Sequence, residues 1–445
     1  MKENLFWHDG KPLTSSDIIF TIQKIQDPET NSPLFPIWQG VAAQRLSRLE
    51  LQLSLVNAYA FFSNILDDLY ILPEHIFGEI PSANWRLSDF NLRPVGSGPY
   101  KFISFERQPN GFITVYKLAA WTDYHKDEAL IPAINFNFLE STADLIERFN
   151  SGQIATIGGI EPQNLQFIER THEIFVFELP AYFAVFLNQG KNLPLKELSV
   201  RQALDFAIDK NLLIKEVLEG YGRPAFGPIP QGTQYFNHEF ENASSSQGLA
   251  SSTLEEAGWE LNKEGIRVKK IKKSTIPLEF TLSVPQVGML TKTAEFLAGE
   301  WQKAGIKVNL QVLSGQEIQE AIKNRDYEAL LFGNVLNRSF DLFSFWHSSE
   351  RFHPGLNLAL YNNNVADELI EAIRQNLDEA SRRDQFRELQ NLITEDRPAV
   401  FLFSPNYLYM ANKNLRGVGG GFLSEPADRF AGTPEWYIKT ARVLK

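Results

Sequence analysis

The chain has 445 residues, of which 43% are hydrophobic, and a formal net charge of −11. A single core rarely grows beyond about 250–300 residues, so this length predicts two or three domains, and the apolar fraction excludes wholesale disorder. The acidic balance argues against a nucleic-acid partner, no stretch reaches the roughly 20 apolar residues of a membrane span, and the absence of cysteine excludes disulfides.

The first elements lie close to the N-terminus. Thr14 and Asp17 have the spacing of a capping box, which predicts a helix that Asp27-Pro28 ends. A second helical region is predicted from Tyr59 to Leu72. The segment from Val95 to Glu106 then reads as a glycine turn that leads into an alternating strand. The mixed pattern continues from there and indicates an α/β fold.

The strongest topological signal lies in the second half of the chain. Alternating apolar residues predict strands over 278–284 and 306–312, and the helical stretch 291–304 joins them. A strand–helix–strand unit of this length predicts two parallel strands with a right-handed crossover. Further helix caps are predicted at Ser199, Asp209 and Ser314, a strand at 327–332, two helices at 365–376 and 379–395, an apolar strand at 399–403, and a solvated edge or hairpin at the basic run 267–273.

Groups that could carry out catalysis do not converge in the sequence. The seven histidines are scattered, and neither H-E-x-x-H nor G-x-S-x-G occurs. The turn at Gly96–Tyr100 lacks the lysine and the helix of a phosphate-binding loop. Carboxylates are numerous enough that a glycosidase-type pair stays open. Several α/β lobes with surplus aromatic residues favour a protein that binds a ligand in a cleft.

Six short motifs make the chain resemble the extracellular solute-binding proteins of family 5, the dipeptide-, oligopeptide- and nickel-binding receptors of ABC importers. They occur in the family's order and extend over nearly the whole chain. We expect these motifs to serve turns, caps and packing of the lobes rather than ligand contact. The motifs are F-W-H-D-G-K-P-L-T-S-S-D-I-I-F-T-I (6–22), V-G-S-G-P-Y-K-F (95–102), L-K-E-L-S-V-R-Q-A-L-D-F-A-I-D-K (195–210), E-A-G-W (256–259), K-A-G-I-K-V (303–308) and D-R-P-A-V-F-L-F (396–403).

The resemblance implies a periplasmic-binding-protein-like α/β fold of class II, with two main lobes, an extra subdomain and a ligand cleft between the lobes. It divides the chain into a partial accessory lobe (1–93), a discontinuous first lobe (94–187 and 413–445) and a second lobe (188–412). In the family an export signal and several dozen residues precede the H-D-G segment. The resemblance therefore implies that this chain lacks its front end and, with it, any lipid anchor.

The same resemblance implies a monomeric receptor without catalytic residues or cofactor. It would capture a peptide or related small solute and deliver it to ABC permease subunits. The location would be periplasmic or extracellular, with the full-length form associated with the membrane. An oligosaccharide or a nickel or other metal chelate is the alternative solute, and a cleft hydrolase is a more distant alternative. Peptide binding would depend on charge at Asp341 or Arg338, whereas sugar binding would depend on aromatic rings.

The resemblance places solute contacts after the strand at 327–332. Peptide binders of the family have an aspartate there for the ammonium of the peptide, but an ungapped comparison puts Val335 or Leu336 at that position. For each expected solute contact, the alternative role is core packing, capping of a helix or plain exposure to solvent. The expected solute contacts are Asp341, Arg338, Asn334, Trp346, His347 and Tyr407, with no metal ligand among them.

Overall fold

The computed structural model describes residues 1–242, 245–336 and 340–439. Arg338, one of the expected solute contacts, lies outside the described residues. The chain has the predicted mixed α/β class, with one nine-stranded sheet at its centre and smaller sheets around it. We call residues 1–93 the accessory unit, residues 94–187 with 413–439 the first lobe, and residues 188–412 the second lobe; this division remains a prediction.

The accessory unit begins with the predicted helix. Thr14 and Asp17 form a complete capping box, as predicted, and the helix ends at Ile25. The second predicted helix is wrong in its extent, because only Phe62–Asp67 is helical. Residues 59–61, which precede it, instead pack against the second lobe. The elements of this unit are α1 (Ser15–Ile25), α2 (Phe35–Trp38), β1 (Ala42–Ser47), β2 (Glu50–Ser54), α3 (Phe62–Asp67) and α4 (Glu74–Phe77).

The H-D-G turn of the accessory unit contacts the G-S-G-P turn that follows it. The backbone N–H of His8 donates to Gly96 O at 2.8 Å, and the Gly96 N–H donates back to His8 Nδ1 at 3.2 Å. His8 Nε2 lies 3.0 Å from Gly98 O. A Cβ at Gly96 would lie 3.3 Å from His8 Cε1, so glycine permits this approach. Because Nδ1 accepts a hydrogen bond while the Nε2–H group donates one, the ring is neutral in this arrangement.

We expect this contact to make stability depend on pH near neutrality. Burial is the largest cause that lowers the pKa of His8 below 6.5. As pH falls, the unfolded state therefore binds a proton on His8 at a higher pH than the folded state does. The stabilisation by this contact is complete above about pH 6.5, and it is lost as pH falls through the pKa that His8 has in the folded state. Urea unfolding of wild type and His8→Gln at several pH values should show a steeper loss below pH 6.5 in wild type. His238→Gln, at an exposed histidine, is the control; equal slopes for wild type and His8→Gln would contradict the expectation.

The first lobe starts with an antiparallel three-stranded sheet, in the order β3-β4-β5. Two further strands, β7 and β8, are joined by Leu179-Pro180, and β8 ends at Leu187, where the second lobe begins. The elements up to residue 187 are β3 (Tyr100–Arg107), β4 (Ile113–Ala120), β5 (Ala133–Asn137), α5 (Thr142–Asn150), β6 (Thr156–Gly158), β7 (His172–Glu178) and β8 (Ala181–Leu187).

The second lobe confirms most local predictions. Asp209 caps its helix, and Ser314 with Glu317 forms a second capping box. Ser199 was wrongly predicted as a cap, because the helix starts at Leu198 after Glu197. Its elements are α6 (Leu198–Phe206), α7 (Lys210–Leu218), β9 (Gly222–Pro224), α8 (Gln247–Glu256), β10 (Glu260–Leu261), β11 (Arg267–Ile271), β12 (Ser274–Pro277), β13 (Glu279–Pro285), α9 (Gly288–Lys303), β14 (Lys307–Leu313), α10 (Gly315–Asn324), β15 (Ala329–Val335), α11 (Phe343–Trp346), α12 (Asn364–Gln375), α13 (Glu379–Asp396) and β16 (Ala399–Asn412).

Residues 413–439, the described remainder of the first lobe, contain three short strands, β17 (Leu415–Arg416), β18 (Gly421–Phe422) and β19 (Tyr437–Ile438). The central sheet has the order β14-β13-β15-β8-β16-β7-β18, with β6 and β9 also paired to β16. β13 and β14 are parallel, as predicted, and β11 and β12 form the predicted hairpin. The carboxyl end of β15 therefore lies in the middle of the sheet, beside the start of β8.

One long strand joins the two lobes. The first part of β16, from Ala399 to Phe403, pairs with β8, and its last part, from Asn406 to Asn412, pairs with β7. Ser404 and Pro405 between them pair with β9. A register shift at Phe401/Phe403 marks the change. In the predicted division, this strand of the second lobe therefore pairs with two strands of the first lobe.

Candidate ligand-binding site

Val335, at the carboxyl end of β15, lines one of two cavities in the structure, and Phe340 lines the other. One, of about 650 Å³, has walls from residues 34–68 of the accessory unit and 335–374 of the second lobe, and we call it the accessory-side cavity. The other, of about 500 Å³, lies between the two lobes near Glu178, and we call it the hinge-side cavity. Both volumes fall in the range of about 300–1,000 Å³ that small-molecule sites occupy. The end of a central strand in an open sheet is a common place for a ligand.

The accessory-side cavity has both apolar and polar walls. Ile37 and Val56 of the accessory unit face it, as do Val335 and Leu356 of the second lobe, and all four side chains are exposed. Apolar side chains in this number at one concave surface mark a binding surface more often than chance exposure does. The cavity is therefore suited to the apolar part of a ligand.

Asp341 forms the polar wall of the accessory-side cavity. The Tyr59 hydroxyl donates to Asp341 Oδ2 at 2.9 Å, and the Phe343 N–H donates to Oδ1 at 3.1 Å. Arg374 Nε lies 3.1 Å from Oδ2, and its guanidinium stands 4.4 Å from the centroid of the Phe343 ring. Burial and then the Asp341 carboxylate raise the pKa of Tyr59. Asp341 thus links the accessory unit to the second lobe and accepts the first N–H of α11.

The hinge-side cavity brings together groups of both lobes. Phe340 from the second lobe and Phe422 from the first lobe face each other with ring centroids 6.1 Å apart. Glu178 of β7 pairs with Arg223 of β9 at one side of this space. Asp428, at the other side, accepts the N–H groups of residues 424 and 425 and so shapes the first-lobe wall. This cavity has one aromatic contact across it and charged groups around it.

Asn334 and Trp346 are buried rather than open to either cavity. Asn334 Nδ2 and Trp346 Nε1 both donate to the Tyr182 hydroxyl, at 2.8 and 3.1 Å. Burial raises the pKa of Tyr182, so the hydroxyl keeps its proton. The three side chains hold β8, β15 and α11 together beneath the site. Their position makes them supports for the residues at the end of β15.

His347 and Tyr407 lie apart from Asp341. His347 is stacked on Phe343 at 4.3 Å between ring centroids and bonds Ser349 through Nδ1 at 2.9 Å. Tyr407 is on β16 under the Arg429 guanidinium, 5.4 Å from it, and burial raises its pKa. No group of three or more His, Asp or Glu side chains in residues 1–242, 245–336 and 340–439 is arranged to hold a metal ion.

The structure adds residues that the sequence did not single out. Tyr59 stands 282 positions from Asp341 in the chain, and neither Tyr59 nor Arg374 belongs to a local motif. Phe340 and Phe422 come from different lobes, so only the tertiary structure brings them together. In the part of the chain that the structure describes, no helix has the length and apolar character needed to cross a membrane.

Comparisons of sequence connect this chain with a known family. Residues 1–351 match the sequence model of the bacterial extracellular solute-binding proteins, family 5 Middle. The oligopeptide-binding protein AppA of Bacillus subtilis is 27% identical over 431 residues, which cover 94% of this chain and 77% of that protein. Protein XP55 of Streptomyces lividans is 28% identical over 423 residues, covering 92% of this chain and 73% of that protein.

Solved structures agree in fold. AppA of Bacillus subtilis in complex with a nonapeptide is 25% identical with a TM-score of 0.73, and the match covers 99% of this chain and 86% of that one. The ABC transporter substrate-binding protein CtaP of Listeria monocytogenes has a TM-score of 0.85 at 22% identity, over 98% of this chain and 86% of that one. The predicted two-lobed fold is confirmed, and so is the family resemblance. The chain belongs to the bacterial extracellular solute-binding proteins of family 5.

Proposed function

We propose that this solute-binding protein captures peptides in the two cavities at the end of β15 and delivers them to the permease of an ABC importer. The observation that carries the proposal is the combination of these cavities with the similarity to AppA of Bacillus subtilis, solved with a nonapeptide. An extended peptide needs room for varied side chains and a few fixed polar groups. Apolar walls beside Asp341, and charged groups around the hinge-side cavity, supply both.

An oligosaccharide is a weaker candidate because of where the tryptophans lie. Stacking on sugar faces requires exposed rings, and seven of the eight tryptophans of the chain are buried. A nickel chelate remains the main alternative solute. NikZ of Campylobacter jejuni, solved with Ni(L-His), has a TM-score of 0.76 and 22% identity to this chain. That likeness concerns the fold, so the solute has to be decided by binding experiments.

The remaining parts of the proposal concern the surroundings of the protein. We assign it to the outer side of the cytoplasmic membrane, where family members receive their solutes, and we expect it to act as a monomer without catalysing a reaction. Closure of the lobes about β16 would enclose the solute and present both lobes to the permease. Asp341, with Tyr59 and Arg374, is our first choice for a wall that the solute contacts.

A thermal-shift panel followed by calorimetry tests the solute class. The panel holds peptides from dipeptide to nonapeptide, a nickel–histidine chelate and cello-oligosaccharides, with free amino acids as the negative control. A peptide present at 100 times its dissociation constant should raise the free energy of unfolding by about 2.7 kcal/mol. A shift with the nickel chelate and none with any peptide would contradict the peptide proposal and support the alternative.

A further inference from the structure

A polar contact joins residues 161–163 of the first lobe to helix α9 of the second lobe. Lys292 Nζ donates to Gln163 Oε1 at 2.6 Å, and Gln163 Nε2 donates to Glu161 Oε2 at 2.6 Å. Gly288, the first residue of α9, lies beside them, since a Cβ on it would be 3.8 Å from Gln163 Nε2 and 3.9 Å from Glu161 Oε2. We call these hydrogen bonds of Glu161, Gln163 and Lys292 the interlobe contact.

The interlobe contact lies at the edge of the central sheet that carries the candidate site. β13 and β15 are parallel, so α9, which follows β13, starts at the same edge as the carboxyl end of β15. Residues 161–163 follow β6, which pairs with β16. In the central sheet, β15 and β8 stand between β13 and β16. The contact therefore joins segments that come from opposite sides of β15 and β8.

Each half of the interlobe contact is fixed in a hydrophobic core of its own. Ile160 and Leu165, on either side of residues 161–163, pack in the cluster beside α5. Helix α9 packs through Leu297 and Trp301 into a different cluster, the core of the second lobe beneath β13. Lys292 itself is exposed, and exposed polar pairs contribute little free energy. The contact can therefore form and break while both cores stay intact.

The start of α9 gains a charge from the other lobe through this contact. Val287 precedes the helix and has no polar side-chain atom that could cap it. The Glu161 carboxylate lies beside the first turn, where a negative charge complements the positive end of the helix dipole. Separation of the lobes would leave this helix end to water. The arrangement thus favours the closed state modestly and reversibly.

We propose that the interlobe contact is a clasp that holds the lobes closed over a bound solute and slows its release. Turning of the lobes about β16 would part residues 161–163 from α9 and open the site. The clasp forms only once the lobes have closed, so it acts on the dissociation rate and leaves the entry of the solute unchanged. The inference rests on the proposed function in taking a peptide as the solute.

Stopped-flow dissociation from the full chain tests the clasp. The probe is the peptide with the largest effect in the thermal-shift panel, carrying a dansyl label. We expect Lys292→Met to release it about two- to fivefold faster than wild type, with the association rate constant unchanged. Lys292→Glu should release it faster still, because it brings a second carboxylate toward Glu161.

A double-mutant cycle shows whether the effect comes from the contact itself. Gln163→Met removes the partner of Lys292 on the other lobe and keeps a side chain of similar length. It should speed release as Lys292→Met does, and the double variant should release the peptide no faster than either single variant. Additive effects of the two changes would mean that the two side chains act separately, which contradicts the clasp.

Lys303→Glu is the matched control on the same helix. Lys303 is exposed at the last residue of α9 and pairs with Glu300. An acidic residue at a helix C-terminus is unfavourable, so this variant should lower the melting temperature and leave release unchanged. Lys292→Glu, nearer the positive end of α9, should speed release with a smaller change of melting temperature.

The outcomes separate the clasp from the proposed function. If both Lys292 variants release the peptide at the rate of wild type, or if Lys303→Glu speeds release as much as Lys292→Glu does, the clasp is refuted while peptide binding stands. If wild type binds no peptide of any length, the proposed function is refuted, and the clasp is refuted with it.

Discussion

Replacing Arg201 with methionine is expected to lower the free energy of unfolding by about 3 kcal/mol or more. Arg201 is 7% exposed and donates to the carbonyl oxygens of Leu195, Lys196, Asp396 and Arg397, at distances of 2.8–3.2 Å. Two of these carbonyls belong to the last residue of α13 and the residue after it, where a cation also complements the helix dipole. Methionine has similar length but no donor, so the carbonyls lose their partners in a buried place.

Arg383→Met is the matched control for Arg201→Met. Arg383 is exposed on α13 and pairs with Glu379 one turn away, an arrangement worth only a few tenths of a kcal/mol. Urea unfolding followed by tryptophan fluorescence measures both variants. Equal losses of the free energy of unfolding in Arg201→Met and Arg383→Met would show that the V-R-Q-A-L motif does not hold the segments 195–196 and 396–397 together.

Replacing Phe61 with alanine should cost about 3–5 kcal/mol, as large-to-small changes at well-packed aromatic sites do. Phe61 belongs to the accessory unit, yet it is 2% exposed within the core of the second lobe. Its ring centroid is 6.2 Å from that of Phe386, and the Arg382 guanidinium lies 5.8 Å from the ring. The preceding Ala60 N–H donates to Arg374 O at 2.7 Å. The variant should therefore loosen the accessory unit from the second lobe.

Limited proteolysis distinguishes loosening from general destabilisation. Cleavage between residues 55 and 70 should become faster in Phe61→Ala, and the urea midpoint should fall with it. Phe167→Ala, at an exposed phenylalanine of the first lobe, should leave both measurements within about 0.5 kcal/mol of wild type. A stable Phe61→Ala variant with unchanged cleavage would mean that the contact contributes little.

Features that depend on neighbouring residues could be predicted from the sequence. The capping boxes at Thr14 and Ser314 need only a hydroxyl and a carboxylate three positions apart. The parallel pair β13 and β14 follows from two alternating runs and the helix between them. In the same way, the six motifs were enough to identify the family, because each occupies one short stretch.

Features that depend on distant residues could not be predicted. Tyr59 was assigned to a helix, but it lies before α3, and its hydroxyl donates to Asp341, which is far away in the sequence. Trp346 was expected to contact the solute because an aromatic ring can stack on a ligand. The structure instead buries its indole beside Tyr182, a residue that is distant in the sequence. A single sequence does not record which lobes face each other, so the pair Phe340 and Phe422 stayed hidden.

The strand β16 has a consequence for how the protein loses its structure. Its 14 residues carry hydrogen bonds to β8 on one part and to β7 on the other. Separation of either β7 or β8 from β16 exposes amides of β16 to solvent. The strand that remains paired depends on the same β16 for its own hydrogen bonds. Amide hydrogens of β7 and β8 should therefore exchange with solvent in one shared opening event, although they pair with different parts of β16. The strand about which the lobes would turn would also be the element that makes them a single cooperative unit.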